Sequence, residues 1–287
     1  MRTLLLYKNS TYKSYFLSDP KRLPQLKELF NSHEIKRFRR THETHYWTLD
    51  FIEAVLKSRK VSYKRASRGQ KVDYNRFDLI ITVGGDGTFL EASRHIKKQM
   101  IVGVNSDPNW SVGRFCVGNA KNFEKLLDLI LVGQAKTKYF QRINLSFNDK
   151  QREWTVLNDC LFCHSNPAAM SRYHLSLGRI KEEQRSSGMW VATAAGSTGA
   201  IHSAGGHVMP PAVKNLQYHP RELYKGLKTD YKLKGGIIKP GQTFAITSLM
   251  REGIVYIDGC HVSTPFSFGQ IAFLTLSKHP LKTFEAP

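Results

Sequence analysis

Three glycines and a carboxylate stand together in Gly84-Gly85-Asp86-Gly87-Thr88, directly after the apolar run Leu79-Ile80-Ile81-Thr82-Val83 and before the helical spacing of Phe89, Leu90, Ala92 and Ile96. An apolar run of this length reads as a buried parallel strand, so the glycines lie between a strand and a helix N-terminus. That arrangement binds phosphate: glycine lets the backbone come close to an anion, and the free N–H groups of the first helical turn attract it. A carboxylate inside such a turn repels phosphate, so Asp86 has other work. Orienting a hydroxyl beside the phosphate, or accepting its proton, is the chemistry that fits, and it points to phosphoryl transfer. A tight Asp-Gly turn without chemistry has the same letters.

Two further groups carry polar chemistry. Asn158-Asp159 follows a β-like run; Asn both donates and accepts, and Asp accepts from two hydroxyls, so the pair could read a base edge and a ribose diol. On its own it is also a turn signal. The stretch Ser187-Gly188-Met189-Trp190-Val191-Ala192-Thr193-Ala194-Ala195-Gly196-Ser197-Thr198-Gly199-Ala200, trailed by Ser203-Ala204-Gly205-Gly206, runs from a strand into a long loop of small and hydroxylated residues. Small side chains let a flat ligand lie against the backbone, and hydroxyls give it adaptable hydrogen bonds.

Other strings weigh less. Cys160-Leu161-Phe162-Cys163-His164 matches a haem-attachment spacing, but Trp154–Cys163 reads as one strand, on which residues three apart face opposite ways; these are structural thiols. His42-Glu43-Thr44-His45 is one residue short of the zinc-protease spacing and reads as an exposed helix entry. No metal-ligand set is predicted.

The elements that must position these groups fall into two textures. Up to about residue 140, strands (Leu4–Tyr7, Leu79–Val83, Met100–Val104) alternate with helical stretches (Pro24–Phe30, Thr48–Arg59, Phe123–Leu131). This alternation predicts a doubly wound α/β domain, with ligands at the carboxyl ends of its strands. Beyond it, short β-like runs at Arg142–Phe147, Trp154–Cys163, Met189–Thr193, Thr243–Leu249, Gly253–Ile257 and Gln270–Leu276 predict a mostly antiparallel β domain. Ser176–Ser187 is polar enough for an exposed hairpin tip, and Val213–Leu233 gives no clear pattern. The predicted domains are 1–140 and 141–267.

Composition sets outer bounds. The chain has 287 residues, 41% hydrophobic and 23% charged, with 43 Lys and Arg against 23 Asp and Glu for a net charge of +20. Such a field attracts polyanions, nucleotides and polyphosphate included. The densest run, Lys36-Arg37-Phe38-Arg39-Arg40, lies in no nucleic-acid module, so no nucleic-acid partner is predicted. No apolar run reaches the roughly 20 residues that span a bilayer. The N-terminal Leu4-Leu5-Leu6 reads as a first strand and not as a secretory segment, so the cytoplasm is the expected compartment, or the mitochondrial matrix for a processed mature chain.

Taken together, the Gly-Gly-Asp-Gly-Thr loop, the Asn-acidic pair and the Thr-x-x-Gly-Ser-Thr loop with its Ser-Ala-Gly-Gly trailer resemble the NAD kinase family, over roughly residues 79 to 276. The strings Gly103-Val104-Asn105-Ser106-Asp107-Pro108, Asn166-Pro167-Ala168-Ala169-Met170-Ser171-Arg172, Ser186-Ser187-Gly188 and Val255-Tyr256-Ile257-Asp258-Gly259 are similar to its mitochondrial and plant NADH kinase branch. The resemblance implies Mg²⁺-dependent phosphoryl transfer from ATP or polyphosphate to the adenosine 2′-hydroxyl of NAD(H). It implies Asp86 as base or orienter, and Gly84, Gly85, Gly87 and Thr88 as the frame of the phosphate path. Asn158 would meet the adenosine, Asp159 the nicotinamide ribose, and Thr193, Ser197 and Thr198 the dinucleotide. It also implies an active site between the two domains, a homodimer or higher oligomer, and a tail (268–287) packed back on the first domain.

Several positions depart from the family pattern. Ser187 stands where many members have Asp, Gly199-Ala200 where most have Ala-Tyr, and Asp159 where many have Glu. These departures bear on the choice between NAD⁺ and NADH. Gly113-Arg114-Phe115-Cys116 replaces a family loop near the active site, and Arg114 is a candidate phosphate contact. The glycine loop alone also suits a lipid or sphingoid-base kinase, and the basic surface suits an inactive dinucleotide- or nucleic-acid-binding protein.

Overall fold

The computed structural model describes residues 1–19, 21, 23–226 and 230–287, the Leu23 side chain excepted. The chain divides into two compact units, Met1–Lys138 with Lys282–Pro287, and Tyr139–Leu281.

The first unit is α/β. Its strands are β1 (Thr3–Tyr7), β2 (Tyr63–Ser67), β3 (Leu79–Gly84), β4 (Met100–Asn105), β5 (Cys116–Asn119) and β6 (Thr137–Phe140); its helices are α1 (Leu23–Leu29), α2 (Ser32–Ser58), α3 (Asp86–His95) and α4 (Phe123–Leu131). Strands β2, β1, β3 and β4 lie side by side in that order, all parallel, and β5 adds to β4 in parallel. Alternate strand residues feed opposite faces of the sheet. Leu5, Ile81, Val83, Val102 and Val104 share a core with Leu49, Ile52, Val55 and Leu56 of α2 and Phe123, Leu126 and Leu127 of α4. Phe89 of α3 packs against Gly103, where any side chain would collide with it at 2.9 Å, so α3 covers the other face. Helices on both faces force β1, β3 and β4 to be apolar throughout, which is why they read so plainly in the sequence.

Helix α2 is far longer than the predicted Thr48–Arg59 segment. Asn31 caps it: its side chain accepts from the Glu34 N–H, while the Glu34 carboxylate accepts from the Asn31 N–H. The expected exposed entry at His42–His45 is therefore mid-helix, and His45 is fully buried.

The second unit holds β7 (Ile143–Phe147), β8 (Glu153–Val156), β9 (Asp159–His164), β10 (Ser171–Leu177), β11 (Ile180–Ser186), β12 (Gly188–Thr193), a one-turn helix α5 (Ala200–Ser203), β13 (Leu216–Arg221), β14 (Gly236–Ile238), β15 (Phe244–Ser248), β16 (Gly253–Ile257), β17 (Ser263–Pro265) and β18 (Ile271–Leu276). Among the described residues they form two six-stranded sheets, ordered β11-β10-β15-β18-β7-β8 and β14-β13-β12-β9-β16-β17, with antiparallel pairing. Their inner faces share one core, with Leu145, Tyr173, Phe244 and Leu274 from one sheet and Phe162, Val191, Tyr218 and Val255 from the other. Three sequence expectations change here. Trp154–Cys163 is two strands, β8 and β9, broken at Leu157-Asn158. Ser176–Ser187 is no loose tip, since Glu182, Gln184 and Ser186 on β11 are buried. Strand β13 lies in the unreadable 213–233 stretch, of which 227–229 fall outside the described residues.

The last strand, β19 (Leu281–Phe284), joins the first unit's sheet between β4 and β6. Its Thr283 hydroxyl donates to the Ile101 carbonyl at 2.8 Å. Residues 268–281, β18 included, belong to the second unit.

Candidate active site

Strand β3 ends in Gly84 and helix α3 begins at Asp86, so the glycine loop is the strand-to-helix turn at the carboxyl end of the sheet. The glycines are needed for space. A side chain at Gly84 would meet Thr88 Oγ1 at 2.5 Å, and one at Gly85 would meet Ser111 Oγ at 2.7 Å. Gly85 is the N-cap and provides no side-chain cap; the Thr88 N–H donates to the Gly85 carbonyl at 3.0 Å, and the Asp86 and Gly87 N–H groups at the start of α3 are kept for another acceptor. Asp86 is partly exposed. Its Oδ1 accepts from the Phe115 N–H at 2.8 Å and its Oδ2 from the Arg114 N–H at 3.0 Å. Each oxygen retains a lone pair, and the clamp fixes where those lone pairs lie. The Gly113-Arg114-Phe115-Cys116 loop thus acts on Asp86 through its backbone. Gly113, at φ 57° and with Asn105 Nδ2 2.3 Å from any added side chain, is the turn that delivers those two amides. Phe115 stacks on Phe89 of α3, with ring centroids 5.4 Å apart.

A buried histidine braces the same sheet edge. His45 of α2 contacts the Lys8 carbonyl through Nε2 at 2.8 Å and Ser106 Oγ through Nδ1 at 2.8 Å. A carbonyl only accepts, so Nε2 carries the proton and Nδ1 accepts from the Ser106 hydroxyl. Burial, followed by the nearby Lys8 charge, holds the His45 pKa down to about 4. Ser106 N–H in turn donates to the Gly84 carbonyl at 3.1 Å. A neutral imidazole therefore ties β1, β4 and the glycine loop together.

In the second unit, Asn158 and Asp159 open β9. The Asn158 carbonyl accepts from the Thr193 N–H at 3.0 Å, and Asn158 Nδ2 donates to Asp159 Oδ2 at 2.9 Å. The small-residue loop wraps this turn so closely that a side chain at Gly196 would lie 2.1 Å from the Asn158 carbonyl oxygen. The predicted loop residues divide by role. Thr193 Oγ1 donates to the Leu157 carbonyl at 2.6 Å and accepts from the Gly196 N–H at 3.1 Å. Ser197 Oγ donates to the Ala194 carbonyl at 2.8 Å and accepts from the Met209 N–H at 2.8 Å. Both residues are fully buried, and their hydroxyls shape the loop from inside; Thr198 is half-buried.

Asp258, which in the sequence is only one residue of the string Val255-Tyr256-Ile257-Asp258-Gly259, holds the turn. It adopts φ 50°, and its Oδ1 accepts from the Asn158 N–H at 2.6 Å and the Leu157 N–H at 3.1 Å. Asp159 is only 4% exposed. Its burial, together with the charge of Asp258, raises its pKa to about 7. Arg142 is a buried guanidinium whose pKa burial lowers to about 10 against the pull of Asp258; its Nε donates to the His279 carbonyl at 2.7 Å. Among the described residues no group of three or more His, Cys, Asp or Glu could hold a metal ion, and no helix is long and apolar enough to cross a membrane.

Residues 26–135 match the family model described as the ATP-NAD kinase N-terminal domain. The chain is 35% identical to the probable NADH kinase of Oryza sativa subsp. japonica over 248 residues, 78% of this chain and 76% of that one. It is 34% identical to the NADH kinase of Arabidopsis thaliana over 270 residues, 84% of each chain. The crystal structure of an NAD kinase from Archaeoglobus fulgidus in complex with ATP shares its fold, with a TM-score of 0.70, 24% identity, and coverage of 100% of this chain and 94% of that one. A glycine-aspartate turn built this way, on a chain so similar in length and sequence to those relatives, has one reading: the chain belongs to the NAD kinase family.

Proposed function

We propose that this protein is an NAD(H) kinase that transfers a phosphoryl group from ATP to the 2′-hydroxyl of the adenosine ribose, giving NADP(H). The observation that carries the reading is the Asp86 carboxylate, held by two backbone N–H groups on the first turn of α3 with a lone pair free on each oxygen. A fixed acceptor there orients a hydroxyl toward a phosphate bound at the helix N-terminus. The 2′-oxygen bonds to the γ-phosphorus, the bond from that phosphorus to the β,γ-bridging oxygen breaks, ADP leaves, and the hydroxyl proton passes to Asp86. Such transfer depends mainly on positioning and charge neutralisation.

In the second unit, Asn158 and Asp159 are the proposed reader of the dinucleotide, with Asp159 accepting from ribose hydroxyls. Thr193, Ser197 and Gly196 act one step removed, by fixing the Asn158 carbonyl and the path of the loop. Mg²⁺ binds through one or two carboxylates and substrate phosphates instead of an all-protein cage, which suits a metal that arrives on the donor and neutralises its charge. The plant relatives named NADH kinases favour NADH as acceptor, and the ATP complex of the Archaeoglobus relative favours ATP as donor. A homodimeric or larger assembly in the cytoplasm or mitochondrial matrix rests on the family resemblance; light scattering and cell fractionation test it.

The deciding experiment is end-point NADP(H) formation with Mg²⁺, crossing NAD⁺ or NADH with ATP or polyphosphate, for wild type and Asp86→Asn. Product from wild type and none from the folded variant is the expected result. No product in any combination from folded wild type overturns the reading.

A further inference from the structure

The registers of the parallel strands bring two cations to the glycine loop. Tyr7, the last residue of β1, pairs with Ser67 of β2 and Val83 of β3, so the next residues, Lys8, Arg68 and Gly84, follow in one row. Backbone bonds lock that row: Lys8 N–H donates to the Val83 carbonyl at 3.3 Å and Arg68 N–H to the Tyr7 carbonyl at 2.8 Å.

Both side chains then lie against the loop. The Lys8 stem passes 3.4 Å from where a Gly84 side chain would begin, and an Arg68 terminal nitrogen lies 3.3 Å from the same point at Gly87. Arg68 is held there by its Nε bond to Glu91 Oε2 at 2.8 Å, one turn further along α3, while Glu91 Oε1 accepts from the Gly69 N–H. Lys8 is half-buried; that burial lowers its pKa, the attraction of Asp107 opposes the shift, and the positive charge of Arg68 adds to it. The two positive charges repel each other at the mouth of the glycine loop, and an anion held against the loop would relieve that repulsion. A second sign of an incomplete site is the Thr88 hydroxyl, which is buried beside Gly84 and has no hydrogen-bond partner.

We propose that Lys8 and Arg68 are the donor-side cations of this enzyme, holding the phosphates of the phosphoryl donor against the first turn of α3. The assignment rests on the NAD(H) kinase reading for the identity of the donor, and on geometry alone for the presence of a polyphosphate site. Lys8, directly after β1 and beside the end of β3, faces the terminal phosphate. Arg68, a planar fork oriented by Glu91, faces the one before it.

The test uses Lys8→Met and Arg68→Gln in the full chain, with Lys8→Arg as the conservative variant and Lys282→Met as a charge-matched control at the start of β19. Steady-state kinetics give KM for ATP and for NADH separately, and calorimetric titration with inorganic tripolyphosphate reads binding without turnover. Lys8→Met and Arg68→Gln should raise KM for ATP at least tenfold, leave KM for NADH within about twofold, and weaken tripolyphosphate by a similar factor. Lys8→Arg should restore most of the affinity, and Lys282→Met should change neither constant. Unchanged KM for ATP and unchanged tripolyphosphate affinity in both variants overturn the proposal while leaving the kinase reading intact. Lost tripolyphosphate binding in a protein that makes no NADP(H) supports the site and rejects the kinase reading.

Discussion

Replacing Asp159 with Asn should make the protein more stable at neutral and alkaline pH while weakening its grip on the dinucleotide. Asp159 is 4% exposed, and burial with the charge of Asp258 raises its pKa from the ordinary 3.8 to about 7. A carboxyl that binds its proton more tightly when folded contributes fully to stability below the unfolded pKa. That contribution is lost as pH rises through about 7. At about 1.4 kcal/mol per pH unit, the interval corresponds to a loss on the order of 4 kcal/mol, a ceiling that relaxation around the carboxylate reduces. Asn carries no proton to lose and still accepts from Asn158 Nδ2. In urea titrations at pH 4, 5, 6, 7 and 8, the stability of the variant relative to wild type should therefore climb steadily from pH 4 and level off near pH 7. Its affinity for NADH, measured at pH 8, should fall about tenfold or more, since a hydrogen bond to a charged group contributes roughly 1.5–3 kcal/mol. Wild-type affinity should rise with pH across 7 as the acceptor ionises. Two stability profiles that run parallel from pH 4 to 8 would refute the reasoning, because they would mean that Asp159 titrates alike in both states.

The other predictions concern the scaffold of the two sites. Asp86→Asn keeps one acceptor for the Arg114 and Phe115 amides but sets its own N–H₂ against the other; kcat should fall by about 10²–10⁴-fold with circular dichroism unchanged, and a variant with wild-type kcat excludes the assigned role. His45, held neutral with a pKa of about 4 by burial and then Lys8, contributes stability that is full above about 6.5 and lost as pH falls toward 4. That loss is on the order of 3 kcal/mol, and His45→Gln should flatten the stability profile across this window; an unchanged slope in the variant counts against it. Gly196→Ala places a methyl 2.1 Å from the Asn158 carbonyl oxygen, so NADH affinity and melting temperature should both drop; a variant with normal binding would show that the loop has slack.

What the sequence made legible follows from where burial is two-sided. Strands β1, β3 and β4 lie between helices on both faces, so they are continuous apolar runs, and the loop that follows β3 could be found by its letters alone. Strand β2, Tyr63-Lys64-Arg65-Ala66-Ser67, lies at the sheet edge with its lysine and arginine exposed, and neither its pattern nor the Arg68 that follows it stood out. The N-terminal half of α2 was hidden for a related reason: it is rich in basic residues, and its Phe38 packs with Phe16 and Phe30 from the preceding segment instead of belonging to an apolar stripe of helical period.

The same physics explains which site residues the motifs missed or placed too close to the ligand. Motif reading attaches function to whatever polar side chain lies inside the recognised string, yet a turn that must hold a carbonyl or carboxylate in place consumes its own hydroxyls to do so. Thr193 and Ser197 each donate to one backbone carbonyl and accept from one backbone N–H, which leaves little for a dinucleotide. Conversely, Asp258 lies a hundred residues from the Asn158 amide it accepts from, and Lys8 lies on a different strand from the loop it flanks. No local spacing could reveal either one. Parallel register brings Lys8 and Arg68 to the loop, and antiparallel pairing of β16 with β9 brings Asp258 to the Asn158 turn. The sheet topology, more than the loop motifs, decides which charges meet at each half of the chemistry.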